Sequence, residues 1–91
     1  SRYMDGRGGF SMGEVVTVAE RVDARGAVCP MPTIRLAQAI RRVPVDAVVE
    51  LWTTDPGSRA NMAAWCRNTG HELCSQDAEG ELFRYRVRRV R

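Results

Sequence analysis

Lysine is absent, and all fourteen basic side chains are arginine. That removes lysine Schiff-base and P-loop lysine chemistry. It also means that any cationic surface grips carboxylate or phosphate through guanidinium forks. Long apolar runs are missing too. Apolar runs such as Ala47-Val48-Val49 span only a few residues, so no segment reads as a transmembrane helix. The N-terminal stretch has no apolar signal-peptide core. Cysteine is scarce, with only Cys29, Cys66 and Cys74. An odd count without tight spacing does not read as a disulfide scaffold, and a reducing, cytoplasmic setting is expected.

What is present fits one small soluble domain. Ninety-one residues leave no room for a second core at roughly 100–200 residues per domain. The chain is 44% hydrophobic and 27% charged, a globular balance. Residues 1–13 carry four glycines and no periodicity. They are expected to be a disordered tail or a cloning remnant, with the domain over residues 14–91.

Within the domain, Glu14 to Asp23 is Val-rich and partly alternating, a first strand. Cys29-Pro30-Met31-Pro32 opens a helix that runs to about Arg42, with Ile34, Ala37 and Ile40, joined by Leu36 and Val43, as its apolar stripe. Pro44 stops it. Ala47 to Thr53 is a second strand, apolar enough to be central. Asp55 is placed to cap a second helix with Pro56 at its first position, and Gly70 to end it. Met62, Trp65, Cys66 and Thr69 share one face of that helix. His71 to Gln76 and Glu81 to Val90 read as strands joined by a short turn at 78–80, hence antiparallel. The order β-α-β-α-β-β predicts an α+β two-layer sandwich: a four-stranded mixed sheet with both helices on one face.

The chemistry points to Cys29. It falls at the expected N-cap of the first helix, where the positive end of the helix dipole favours thiolate. Pro30 and Pro32 stiffen that turn, and Gly26 lets the preceding loop pass close. The sole histidine, His71, lies elsewhere in the chain, and Pro32 stands where a C-x-x-C partner thiol would be. Thioredoxin-like exchange is therefore excluded and a Cys-His hydrolase disfavoured. A lone activated thiolate suits a carrier that takes up sulfur as a persulfide.

Asp23-Ala24-Arg25-Gly26-Ala27-Val28-Cys29-Pro30-Met31-Pro32 resembles the D-x-x-G-x-x-C-P-x-P signature of the TusA/SirA-like sulfurtransferases. The likeness extends through Asp55-Pro56, Trp65-Cys66, Gly70-His71-Glu72-Leu73 and Phe83-Arg84-Tyr85. Ala27 stands where many relatives have Leu. The resemblance implies that Cys29 carries persulfide sulfur, with Asp23, Gly26, Pro30 and Pro32 as motif support. It also implies a sulfur donor such as a cysteine desulfurase or rhodanese, and a downstream acceptor in tRNA thiolation, cofactor biosynthesis or sulfur oxidation. No cofactor and no membrane partner are expected.

The other candidates carry blander readings. Cys66 reads as core. Cys74 points to the face opposite Leu73, with no role in the chemistry. Cys66, His71 and Cys74 do not have a recognised metal-finger spacing, so no metal site is expected. His71 is expected to cap the preceding helix with its ring, and Trp52 and Trp65 to pack in the core. In the last strand Phe83, Tyr85 and Val87 alternate toward the helices, leaving Arg84, Arg86 and Arg88 on the open face. With Arg25, these are candidates for docking an acidic partner. Direct RNA binding is disfavoured at a net charge of +3. A non-enzymatic binding module using this arginine face, for acidic protein or RNA, is the alternative to a sulfur relay.

Overall fold

The computed structural model describes residues 17–28 and 30–91. The expected tail over residues 1–13 and the start of the expected first strand lie outside them. So does Cys29. The elements run β1 (Val18–Ala24), α1 (Met31–Arg42), β2 (Val48–Thr53), α2 (Ser58–Thr69), β3 (Glu72–Glu79) and β4 (Leu82–Arg88). Their order is the one read from the pattern, and the sheet is mixed, in the order β1-β2-β4-β3. β1 lies parallel to β2, β2 antiparallel to β4, and β4 antiparallel to β3.

Period-two alternation decides which side of each strand is buried. Val22 and Ala24 of β1, Val49 and Leu51 of β2, and Tyr85 and Val87 of β4 face the helices. There they meet Leu36, Ala39, Ile40, Met62 and Cys66 in a single core. Beneath α2, the Ser58 hydroxyl and the Tyr85 phenol share a hydrogen bond of 2.6 Å, which satisfies two buried polar groups at once.

Local chemistry sets the ends of the elements, and several sit where the pattern did not place them. The N-cap of α1 is Pro30, one residue after Cys29, and Pro32 occupies the second helical position. The stripe of α1 is Pro32, Leu36, Ala39 and Ile40, followed by Val43. Ile34, expected in the stripe, is 43% exposed because the helix presents the 32–36–40 row to the sheet.

Helix α2 begins at Ser58 with Gly57 as N-cap, later than the Asp55-Pro56 start expected. The Asp55 carboxylate instead accepts the Gly57 N–H at 3.0 Å, an Asx turn that precedes the helix. Gly70 ends α2 in the left-handed region, φ 84°, donating its N–H to the Cys66 carbonyl. The hairpin turn is Gly80-Glu81, shorter than the 78–80 turn read from sequence, and Gly80 takes φ 61° at the first turn position.

The two other corrections concern aromatic rings. Trp52 is on the open face of the sheet and not in the core, because it has the parity of Glu50 and opposes Asp23 and Arg84. The His71 ring does not cap α2. Its Nδ1 accepts the Val90 N–H at 3.1 Å, while the Arg91 guanidinium donates to the terminal Thr69 carbonyl at 2.8 Å. A guanidinium is the better cap, since it brings positive charge to the negative helix end. Trp65 packs partly buried against the core and lies 5.6 Å, centroid to centroid, from the His71 ring.

Candidate functional site

The segment between β1 and α1 carries the expected chemistry. Ala24 ends β1 fully buried, and the chain then turns: the Ala27 N–H donates to the Ala24 carbonyl at 3.1 Å. Gly26 takes φ 82° at the third position of this turn, where an L side chain is strained. A Cβ there would meet nothing within 4 Å, so the glycine is needed for its dihedral and not for close approach.

Asp23 organises the outer side of the turn. Its carboxylate accepts the Arg25 backbone N–H at 3.2 Å and both arms of the Arg25 guanidinium, at 2.9 and 2.7 Å. The Arg25 side-chain hydrogen bonds, and then its backbone N–H, hold the Asp23 carboxyl down at about 2. Arg35 from α1 donates to the Asp23 carbonyl at 3.3 Å, and the Arg25 guanidinium lies 5.2 Å from the Trp52 ring centroid. Arg25 is therefore folded back on its own loop.

Val28 is 71% exposed and Pro30 is exposed, so the chain on either side of position 29 is at the surface. The Met31 N–H donates to the Val28 carbonyl, and the Ile34 N–H to the Pro30 carbonyl, which closes the first turn of α1. Exposed Met31 and Ile34 join Val28 as apolar groups near the motif. Beside it a small depression of about 10 Å³, room for little more than a water molecule, lies between the starts of α1 and α2, lined by Pro30, Pro32, Asp55, Asn61 and Met62 among others.

The sequence reading missed one residue that holds this loop. The Gly26 N–H donates to the Thr54 hydroxyl at 2.9 Å. Thr54 follows the last residue of β2, and Ala24 pairs with Thr53 in the parallel ladder. Knowing that β1 and β2 are parallel neighbours would have brought Thr54 beside the motif. Sequence spacing alone does not.

The other two thiols are poorly placed for nucleophilic work. Burial pushes the Cys66 thiol up to about 11. Cys74 is exposed at a register shift in β3, and its thiol is also raised, by burial and then by the Glu72 charge. Among the described residues, no three His, Cys, Asp or Glu side chains converge to hold a metal ion.

The open sheet face has the arginines where alternation put them, but each faces a carboxylate. Arg84 pairs with Asp77 and Glu79, Arg86 with Glu50, and Arg88 with Asp46 and Glu72. Glu50 is the hub. Its side chain is 6% exposed and accepts from Arg86 Nε and Trp52 Nε1, each at 3.0 Å, and from Arg21 Nε at 3.3 Å. Burial alone would raise its pKa. The Arg86, Trp52 and Arg21 donors outweigh that and leave it below the ordinary value. Among the described residues, no helix is long and apolar enough to cross a membrane.

A mixed four-stranded sheet with two helices on one face, and a C-P-x-P segment leading into the first helix, defines a small α/β sandwich of the SirA-like type. The family model for sulfurtransferase TusA matches residues 20–89, and the chain belongs to that family. The sulfur carrier protein TusA of Pseudomonas syringae is 36% identical over 76 residues, covering 84% of this chain and 90% of that protein. YrkF of Bacillus subtilis is 38% identical over 68 residues, 75% of this chain but only 37% of YrkF. The crystal structure of a SirA-like protein from Desulfitobacterium hafniense shares the fold. Its TM-score is 0.69 at 22% identity, over 79% of this chain and 99% of that one.

Proposed function

We propose that this protein is a sulfur carrier that holds persulfide sulfur on Cys29. The observation that carries the reading is a motif loop with exposed residues on both sides of position 29, leading directly into a twelve-residue helix. A thiolate carried one residue before the N-cap of α1 is favoured by the positive end of the helix. The two described thiols have raised pKa values, which disfavours them as nucleophiles and supports Cys29 in that role. Relatives named as sulfur carriers support the same reading.

In the transfer step the Cys29 thiolate attacks the outer sulfur of a donor persulfide, R–S–SH. A new S–S bond forms at Cys29, the donor S–S bond breaks, and the donor leaves as its thiolate with the electron pair. No net oxidation occurs, and no cofactor on this chain is needed. A downstream acceptor thiol repeats the step in reverse. Asp23, Gly26, Pro30 and Pro32 shape the loop, and the apolar group of Val28, Met31 and Ile34 gives the partner a dry contact. A cysteine desulfurase or a rhodanese is the class of donor that supplies such a sulfur. A reducing compartment such as the cytoplasm suits the free thiol.

The binding-module alternative has no comparable support. Arg25, Arg84, Arg86 and Arg88 each have a carboxylate of the same chain in place, so a partner would have to displace it. Intact-mass measurement after incubation with a cysteine desulfurase, pyridoxal phosphate and cysteine tests the proposal. The chain should gain about 32 Da, one sulfur, reversed by a reducing thiol. Cys29→Ser should abolish the gain. Loss of the gain in Cys66→Ser or Cys74→Ser, with Cys29→Ser still loaded, would move the site elsewhere.

A further inference from the structure

The loop that bears position 29 has few attachments to the rest of the molecule. The Ala27-to-Ala24 bond ties it to the end of β1, the Met31-to-Val28 bond ties it to the start of α1, and Ala27 packs against the core. Arg35 reaches only Asp23, at the end of the strand. Among the described residues, the one hydrogen bond joining residues 25–28 to a part of the chain outside β1 and α1 is Gly26 N–H to Thr54 Oγ1.

The acceptor stands on a rigid frame. Thr53 is fully buried, and its hydroxyl accepts the Asp55 N–H at 3.1 Å. Asp55 in turn binds the N–H groups of Gly57 and Ser58, and Ser58 is tied to Tyr85. Thr54 thus continues the parallel β1–β2 ladder by one step, with a side-chain oxygen in place of a carbonyl. Because Gly26 at φ 82° resists no rotation through a Cβ, an external tether matters more there than at an ordinary residue.

We propose that Thr54 is a positioning residue, whose hydroxyl fixes the loop that presents Cys29 to sulfur donors and acceptors. The inference rests on the sulfur-carrier reading for the identity of the reacting thiol. Without the tether, the loop that leads into α1 is held less firmly, and a thiolate carried on it gains less from the positive end of the helix. The Gly26 amide is exposed, so water replaces the lost partner and the fold is little affected.

Thr54→Val keeps the shape and removes the acceptor, and Thr54→Ser keeps the acceptor. Alkylation of Cys29 by iodoacetamide, resolved by peptide mass spectrometry across pH in the full chain, reads the thiolate directly. Thr54→Val should slow it about three- to tenfold at neutral pH and move its midpoint upward, as fewer molecules carry thiolate. Thr54→Ser should track the wild type, with urea midpoints nearly coincident for all three. A wild-type alkylation profile for Thr54→Val, or equal impairment in Thr54→Ser, overturns the assignment. If Thr54→Val loses cooperative unfolding, amide exchange in the wild-type chain decides. A protected Gly26 N–H supports the tether, and exchange at the unfolded-chain rate refutes it. A shifted profile in a protein that gains no sulfur would sink the carrier reading and leave Thr54 standing. Sulfur uptake with an unshifted profile would do the opposite.

Discussion

Replacing Glu50 with Ala should cost stability out of proportion to one glutamate on a sheet surface. Its carboxylate is nearly sealed, yet it receives three donors from three directions: Arg86, Trp52 and Arg21. The arginines remain partly in water, with side chains 43% and 59% exposed, so each pair is discounted toward the surface value of under about 1 kcal/mol. The indole bond adds about 1 kcal/mol, and truncation also strands the Trp52 N–H on a crowded face. Together Glu50→Ala should cost about 2–3 kcal/mol. At roughly 4–8 °C per kcal/mol for a domain this small, the melting temperature should fall by about 10–20 °C. Glu50→Gln keeps an acceptor for the indole and should cost about half as much. Urea unfolding followed by tryptophan emission measures both, and Trp52 should shift to the red in the Ala variant. A Glu50→Ala protein within about 0.5 kcal/mol of wild type, with unshifted emission, would show that the open-face network does not hold the sheet together.

Two further outcomes follow from the geometry. The Asp23 carboxyl titrates at about 2 in the folded protein against an ordinary 3.8, so its contribution to stability is fully present above the ordinary value. It is lost as pH falls toward about 2. In Asp23→Asn, urea midpoints measured at steps of pH should lose that acid slope, and a slope equal to wild type would refute the Arg25 lock. Tyr85→Phe leaves the buried Ser58 hydroxyl without its partner and should cost about 1–2 kcal/mol. Ser58→Ala in the same background should add little, and strictly additive costs in the double-mutant cycle would deny the pairing.

The strand and helix pattern was legible because it rests on local periodicity. Phe83, Tyr85 and Val87 alternate with arginines, and that alternation put the right residues under the helices. Gly70 ended its helix where expected, because a left-handed C-cap is a property of one residue. The helix starts moved because caps compete locally: Asp55 spends its carboxylate on Gly57 N–H, so α2 begins only at Ser58.

Trp52 shows the limit of composition. An indole was assigned to the core as a large apolar ring, but strand parity put it on the open face, where two guanidiniums cover it at 4.6 and 5.2 Å. The arginine side chains raised the prospect of a cationic surface, and only strand neighbours revealed that acids from β2 and β3 offset it. The chain's own sequence settled the order of the elements, the buried face of β4 and the cysteine motif, all of which depend on residues within a few positions of one another. Register and strand order decided the Glu50 hub and the Thr54 tether, because each joins groups that are distant along the chain and adjacent only once β1 lies parallel to β2 and β4 beside it.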